Sequence, residues 1–317
     1  MLARQLLDSK GPHRSSGQLT FDDGTFRRDY NRRPFTVQHT LVGHPLFQFP
    51  ALSALAERRL PHGDVLHWSG RIPVTADFDH AYRNHATGVS LENTLARIAD
   101  AGSFVVINFP EHDPLYAPLL RALYNDIRVG SEPLDPGMTE IMAYVFISSP
   151  HSVTPYHMDR EMNFLLQIQG TKLVHLWDAR DRTIMTEQQV ERLFGDPRAK
   201  RPGYKEEFAA LVHEHHLKPG IGVHHPFIAP HWVKNGPEVS ISLALTYRTR
   251  ESQRITQAYQ VNYAMRRLGL SPAPVGAFAP RDALKGNAYG ALRDAKNWMV
   301  EVRQRAAPRS RRHQPQP

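Results

Sequence analysis

Apolar residues in this chain gather into short runs divided by turn signals, and the character of the runs changes along its length. Up to residue 60 the sequence is polar, and FDDGTFRRDYNRRPF offers few regular signals before LSALAERRL gives a short helical pattern. In SLENTLARIADAG, Ser90 is a plausible N-cap, Leu91, Leu95 and Ile98 recur at helical spacing, and Gly102 supplies a stop, so a helix is predicted. SFVVINF then reads as a buried strand and YAPLLRALYNDI as another helix.

From Ile141 onward strand follows strand: IMAYVFI, the segment around His157, MNFLLQI, TKLVHLW, and, after an insertion over residues 179 to 218, GVHHPFI and EVSISLALTY. Many short strands with one long insertion predict a mainly β protein with helical additions. The expected core is an antiparallel jelly roll of the cupin type, a double-stranded β-helix whose mouth holds small ligands. The insertion carries MTEQQVERLFG and YKEEFAALVHEHH, two helical patterns placed to cover the barrel or to touch substrate. Beyond Arg250, SQRITQAYQVNYAMRRLGL has amphipathic helical character, LSPAPVGAFAP is a Pro-rich linker, and DALKGNAYGALRDAKNWMVEVRQR is a second helical stretch. The expected organisation is an N-terminal extension over 1–100, a catalytic barrel over 101–250, a helical region over 251–302 and a disordered basic tail over 303–317.

Composition narrows the chemistry. The 317 residues include no cysteine, so any metal is held by nitrogen and oxygen and no disulfide framework exists. The net charge of +8 is concentrated: residues 251 to 317 hold 12 Lys plus Arg against 4 Asp plus Glu, leaving the rest close to neutral. A solvated tail accounts for that excess, and with no helix-turn-helix pattern a nucleic-acid partner is not expected. MLARQLLDSKGPHRSS lacks a signal-peptide core, and no apolar run approaches the ~20 residues needed to span a bilayer, so a cytoplasmic protein without membrane contact is expected.

The segment Val153 to Lys172, VTPYHMDREMNFLLQIQGTK, carries the candidate chemistry. On an extended chain His157 and Asp159 share a face, which supplies two ligands. His231, at the end of PGIGVHHPFIAPH, is placed to supply a third from a distant strand. Two imidazoles and one carboxylate leave three coordination positions open, the facial triad of Fe(II) oxygenases; zinc hydrolysis would need only one. Lys172, on the next strand, can reach the same interior and needs an anion there. The distal carboxylate of 2-oxoglutarate is such a partner, with Thr154 offering a hydroxyl to it and Asn163 amide donors near the metal end.

At these residues the sequence resembles the JmjC-type, cupin-like 2-oxoglutarate oxygenases, in the branch of the asparaginyl hydroxylase factor inhibiting hypoxia-inducible factor and its bacterial cupin-like relatives. The pattern V-T/S-P-x-H-x-D-x-x-x-N-F-x-x-Q-x-x-G-x-K is met by Val153, Thr154, Pro155, His157, Asp159, Asn163, Phe164, Gln167, Gly170 and Lys172. The resemblance covers residues 100 to 250 and implies His157, Asp159 and His231 as iron ligands, Lys172 and Thr154 as anchors of the 2-oxoglutarate C5 carboxylate, and Asn163 beside the co-substrate. It implies hydroxylation of a protein side chain or small molecule with O2, and a dimer interface in the terminal helices. Two departures stand out: Ala229 and Pro230 replace an aromatic pair, and His224–His225 sits where an apolar strand is expected. The family's upstream tyrosine has Tyr144 as its candidate.

Against these readings stand plainer ones. His224 and His225 alternate faces, so at most one points inward, and both are expected to be structural. His213, His215 and His216 are expected at a helix end before Pro219, Arg160 and Glu161 as solvated charges, and Trp232 in packing. A cupin-fold ligand or metal sensor, acting as a regulator without turnover, is the alternative to an enzyme, and a zinc or manganese isomerase would leave Lys172 without its anion.

Overall fold

The computed structural model describes residues 15–291. Twelve strands run through it: β1 (Leu19–Thr20), β2 (Phe35–His39), β3 (Val65–Ser69), β4 (Ser103–Asn108), β5 (Thr139–Ser148), β6 (Val153–Met158), β7 (Met162–Gln169), β8 (Lys172–Leu176), β9 (His213–Leu217), β10 (Ile221–His225), β11 (Pro230–Asn235) and β12 (Ser240–Arg248). They form an eight-stranded sheet, β1-β2-β10-β7-β12-β5-β4-β3, and a four-stranded sheet, β6-β11-β8-β9, with antiparallel pairing throughout.

From β5 onward almost every connection changes sheet; only β8 and β9 are consecutive neighbours in one. That winding is the double-stranded β-helix, with β10-β7-β12-β5 on one side of the barrel and β6-β11-β8-β9 on the other. A strand buried on both faces is apolar without alternation, and β7, MNFLLQIQ, is buried at every residue but its last. The crossing from β7 to β8 turns at Gly170, with φ +69°, and a Cβ there would lie 2.5 Å from the Val239 carbonyl oxygen. Only glycine accepts both conditions.

The polar N-terminal stretch, which showed few regular signals, supplies β1, a helix over Asp23–Asp29 and β2. Its anchor is the buried carboxylate of Asp126, which accepts from Ser15, Ser16, Gln18 and Leu19. Side chain to backbone bonds of this kind leave no periodicity in a sequence. The helix capped by Ser90 is shorter than expected, spanning Leu91–Ala96.

The insertion differs more. YKEEFAALVHEHH is not one helix: Glu206–Leu211 is a 3-10 turn and His213–Leu217 is β9. Two causes are visible. Trp177 Nε1 donates to the Phe208 carbonyl oxygen at 2.7 Å, drawing that carbonyl out of a helix ladder, and β8 offers an edge that pairs His213 with Leu176 and Leu217 with Lys172. His213, His215 and His216 therefore stand on an edge strand rather than at a helix end.

The chain divides into two compact units, Met1–Gln189 with Arg198–Ser252, and Val190–Pro197 with Gln253–Pro317. The first holds both sheets. In the second, buried Glu191 accepts from Asn262 at 3.2 Å and from Arg266 at 2.5 Å. The helix Arg250–Arg267 and helical residues up to 291 match the periodicity, while the basic tail over 303–317 lies outside the described residues. Among the described residues no helix is long and apolar enough to cross a membrane.

Candidate metal centre

His157 on β6 and His231 on β11 are direct partners in the antiparallel register, and Asp159 stands just past the end of β6. One ligand atom from each lies within 4.8 Å of the other two, so the three residues assembled from the sequence meet in space. Each imidazole is oriented by its own strand. The Nδ1 of His157 lies 2.8 Å from the Pro155 carbonyl oxygen, and that of His231 lies 2.9 Å from the Ala229 carbonyl oxygen. A carbonyl only accepts, so Nδ1 carries the proton in both rings and Nε2 keeps its lone pair. Those Nε2 atoms face Asp159, at 3.6 Å from Oδ1 and 3.9 Å from Oδ2. Burial, first of all, pushes both imidazoles below their ordinary pKa, so they stand neutral, as metal ligands must.

The triad opens into a cavity of about 340 Å3 between the two sheets. Thr154 lines it together with His157, although residues three apart on a regular strand face opposite ways. The register explains this: His231 pairs with His157 and Val233 with Thr154, so two steps on β11 match three on β6. The extra residue is a bulge at Pro155–Tyr156, where proline has no N–H to lose, and it turns Tyr156 toward Trp177 and Phe208.

Lys172 occupies the other end. On β8 it is level with Asn235, while Leu176 is level with His231, four residues or roughly 13 Å along the strands. The side chain is buried and its Nζ lies 5.9 Å from the ring centroids of both Phe104 and Phe146. Burial lowers its pKa to about 7, and among the described residues no neighbouring charge offsets that cost. The cavity thus carries a cluster of possible metal ligands at one end and a buried ammonium at the other.

Asn163 also lines the cavity, and its Oδ1 is buried without a hydrogen-bond partner. Tyr144 lines the wall as well, stacked on Phe146, with burial raising its phenol pKa. Glu161 is not a solvated charge. It lines the cavity and accepts from Arg248 at 2.8 Å, and burial raises its pKa, with Asp159 adding to the effect. Trp232 packs away from the cavity, its ring 3.7 Å from that of His175 and nearly parallel to it. Of the histidine pair, His224 is structural, while His225 lines the cavity.

Residues that no pattern in the sequence marked complete the site. Phe78 stacks on His157 with centroids 3.6 Å apart and planes 6° from parallel. Arg201, from the insertion, bonds the carboxylate of Asp79 at 2.9 Å and the Met158 carbonyl oxygen, and lies over the Phe78 ring. The insertion thus reaches the cavity, through one arginine rather than a helix.

No protein-family model and no curated protein matches the chain. It is similar to solved structures of Escherichia coli ycfD, with TM-score 0.48 and 15% identity over 82% of this chain and 62% of that one. It is also similar to the Escherichia coli ribosomal oxygenase YcfD, with TM-score 0.47 and 15% identity over 86% of this chain and 67% of that one. A third similar structure is YcfD in complex with cobalt and 2-oxoglutarate, with TM-score 0.46 and 15% identity over 90% of this chain and 67% of that one. The chain therefore spans less than two thirds of the length of the first of these.

Proposed function

We propose that this chain is an Fe(II)- and 2-oxoglutarate-dependent oxygenase that hydroxylates a protein side chain or a small molecule. One observation carries the reading: a buried ammonium, Lys172, with no anion beside it among the described residues, shares a cavity with a two-histidine, one-carboxylate cluster. A zinc site of the same ligands gives that cation no task.

The donor set fits the metal. Two neutral imidazoles and one carboxylate suit ferrous iron and leave positions open, and His157, Asp159 and His231 would hold it. Bound there, iron would supply the chemistry that couples oxidative decarboxylation of 2-oxoglutarate to insertion of oxygen into a C–H bond. The chain's own residues do the rest. Lys172 neutralises the distal carboxylate, Thr154 donates a hydroxyl beside it, and Asn163 stands near the chelating end. Phe104, Phe146 and Phe78 keep the cavity apolar, which strengthens each polar interaction within it.

The need for ferrous iron and 2-oxoglutarate supports a cytoplasmic location. Exposed Leu268, Leu270, Phe278 and Leu284 in the second unit support pairing with a second copy of the chain.

The test is succinate production by anaerobically purified protein given Fe(II), ascorbate, 2-oxoglutarate and air, with Asp159→Ala as control. Succinate that depends on Asp159 is the expected result. Metal and 2-oxoglutarate bound with no succinate, even in the presence of peptide and metabolite mixtures, would favour the ligand-sensing cupin.

A further inference from the structure

His224 and His225 are neighbours on β10 with opposite fates. His224 is satisfied: its Nδ1 lies 3.1 Å from the Asn163 carbonyl oxygen, and its Nε2 accepts from the Asn31 N–H at 3.2 Å. His225 is 2% exposed, and neither ring nitrogen has a hydrogen-bond partner among the described residues. A buried polar group without a partner is costly, and such groups are rare enough to need a cause.

The surroundings supply one. His225 lines the cavity, and its ring stands edge to face with that of His231 at 4.5 Å. On the sheet it is directly opposite Asn163, so the two side chains share a face, and Asn163 Oδ1 lacks a partner as well. Thr246, the other partner of Asn163, is already bonded to the Met142 carbonyl oxygen at 2.8 Å. The unfulfilled polar atoms therefore form one patch, at the triad end of the cavity and away from Lys172.

We propose that His225 is a positioning residue that donates a hydrogen bond to the carboxylate of the 2-oxo acid at its metal-chelating end. This rests on the oxygenase reading. The co-substrate is then read at both ends, by Lys172 at one carboxylate and by His225 at the other. A neutral imidazole gives one N–H, and a carboxylate oxygen is the acceptor that the chelating end presents.

The experiment is anaerobic titration of the Fe(II)-loaded protein, following the visible metal-to-ligand charge-transfer absorption. The probes are 2-oxoglutarate and pyruvate, which has the same chelating end without the second carboxylate. His225→Leu should weaken both ligands about tenfold, the loss of one charge-assisted hydrogen bond, while His225→Gln, which keeps a donor, should recover most of the affinity. Lys172→Met should weaken 2-oxoglutarate and leave pyruvate unchanged. If His225→Leu melts below the parent's working range, His225→Phe replaces it. Affinities within twofold of the parent, or a loss confined to 2-oxoglutarate, overturn the assignment of His225 while the oxygenase reading stands. A parent protein with bound iron and no such absorption overturns both.

Discussion

His157 and His231 stand opposite each other on β6 and β11, rings 4.1 Å apart, and each gives its Nδ1 proton to the carbonyl oxygen two residues behind it. The tautomer of each ring is thus set by its own backbone and not by a third side chain. Removing the carboxylate between them should leave both imidazoles aimed as before. Asp159→Ala is expected to keep its circular dichroism and melting profile while losing at least ~100-fold in Co(II) affinity, read from the cobalt absorption bands. Unchanged affinity would remove Asp159 from the ligand set.

Lys172 yields a prediction with a definite sign. Its pKa in the fold is about 7, against ~10.4 for an unfolded chain, so between these values the unfolded state binds more protons and stability rises with pH. Below about pH 7 both states are protonated and the full cost of the buried charge is present. Lys172→Met should therefore raise the melting temperature of the ligand-free protein at pH 6, and the advantage should shrink through the alkaline range to nothing near pH 10. A constant advantage would mean that folding does not lower the pKa of this lysine.

The same group makes dicarboxylate binding proton-linked. A dianion at Lys172 favours the ammonium, so above pH 7 binding should take up a proton and the affinity for 2-oxoglutarate should fall by up to tenfold per pH unit. Calorimetry in buffers of different ionisation enthalpy reports that uptake directly, and pyruvate should show none attributable to Lys172.

Gly170→Ala tests the turn that delivers Lys172 to the interior. With φ +69° and the Val239 carbonyl 2.5 Å from any Cβ, the substitution should cost on the order of 1–3 kcal/mol in urea unfolding. It should also weaken 2-oxoglutarate more than metal, because β8 carries the lysine and none of the triad.

Phe78 covers one face of His157. Phe78→Ala should open that face to water and speed the loss of bound Co(II) to a chelator, with equilibrium stability reduced by about 1 kcal/mol. An unaltered rate would show that the stack is packing alone.

The strands of the barrel were legible because β5, β7, β8 and β12 are apolar runs of ordinary strand length with turn residues between them. The triad, Thr154, Asn163 and Lys172 were legible because their spacing is local, apart from His231. The rest of the site depends on long-range geometry. The side-chain direction of Thr154 follows from a bulge whose existence requires β11 as a partner. Phe78, Asp79 and Arg201 come together from segments 122 residues apart, with no periodicity in either. HEHH carries no apolar alternation and so gives no strand signal; the free edge of β8, not propensity, decides the conformation of β9.

A buried ammonium at Lys172 weakens the fold, and an anion beside it would offset that cost. An anion that binds there shifts the folding equilibrium by mass action, by about 2.7 kcal/mol at a hundredfold excess over its dissociation constant. Resistance to proteolysis follows the same equilibrium. The resistance of the purified protein to protease should thus rise with the dicarboxylate added to it, a readout of the Lys172 site that needs no turnover.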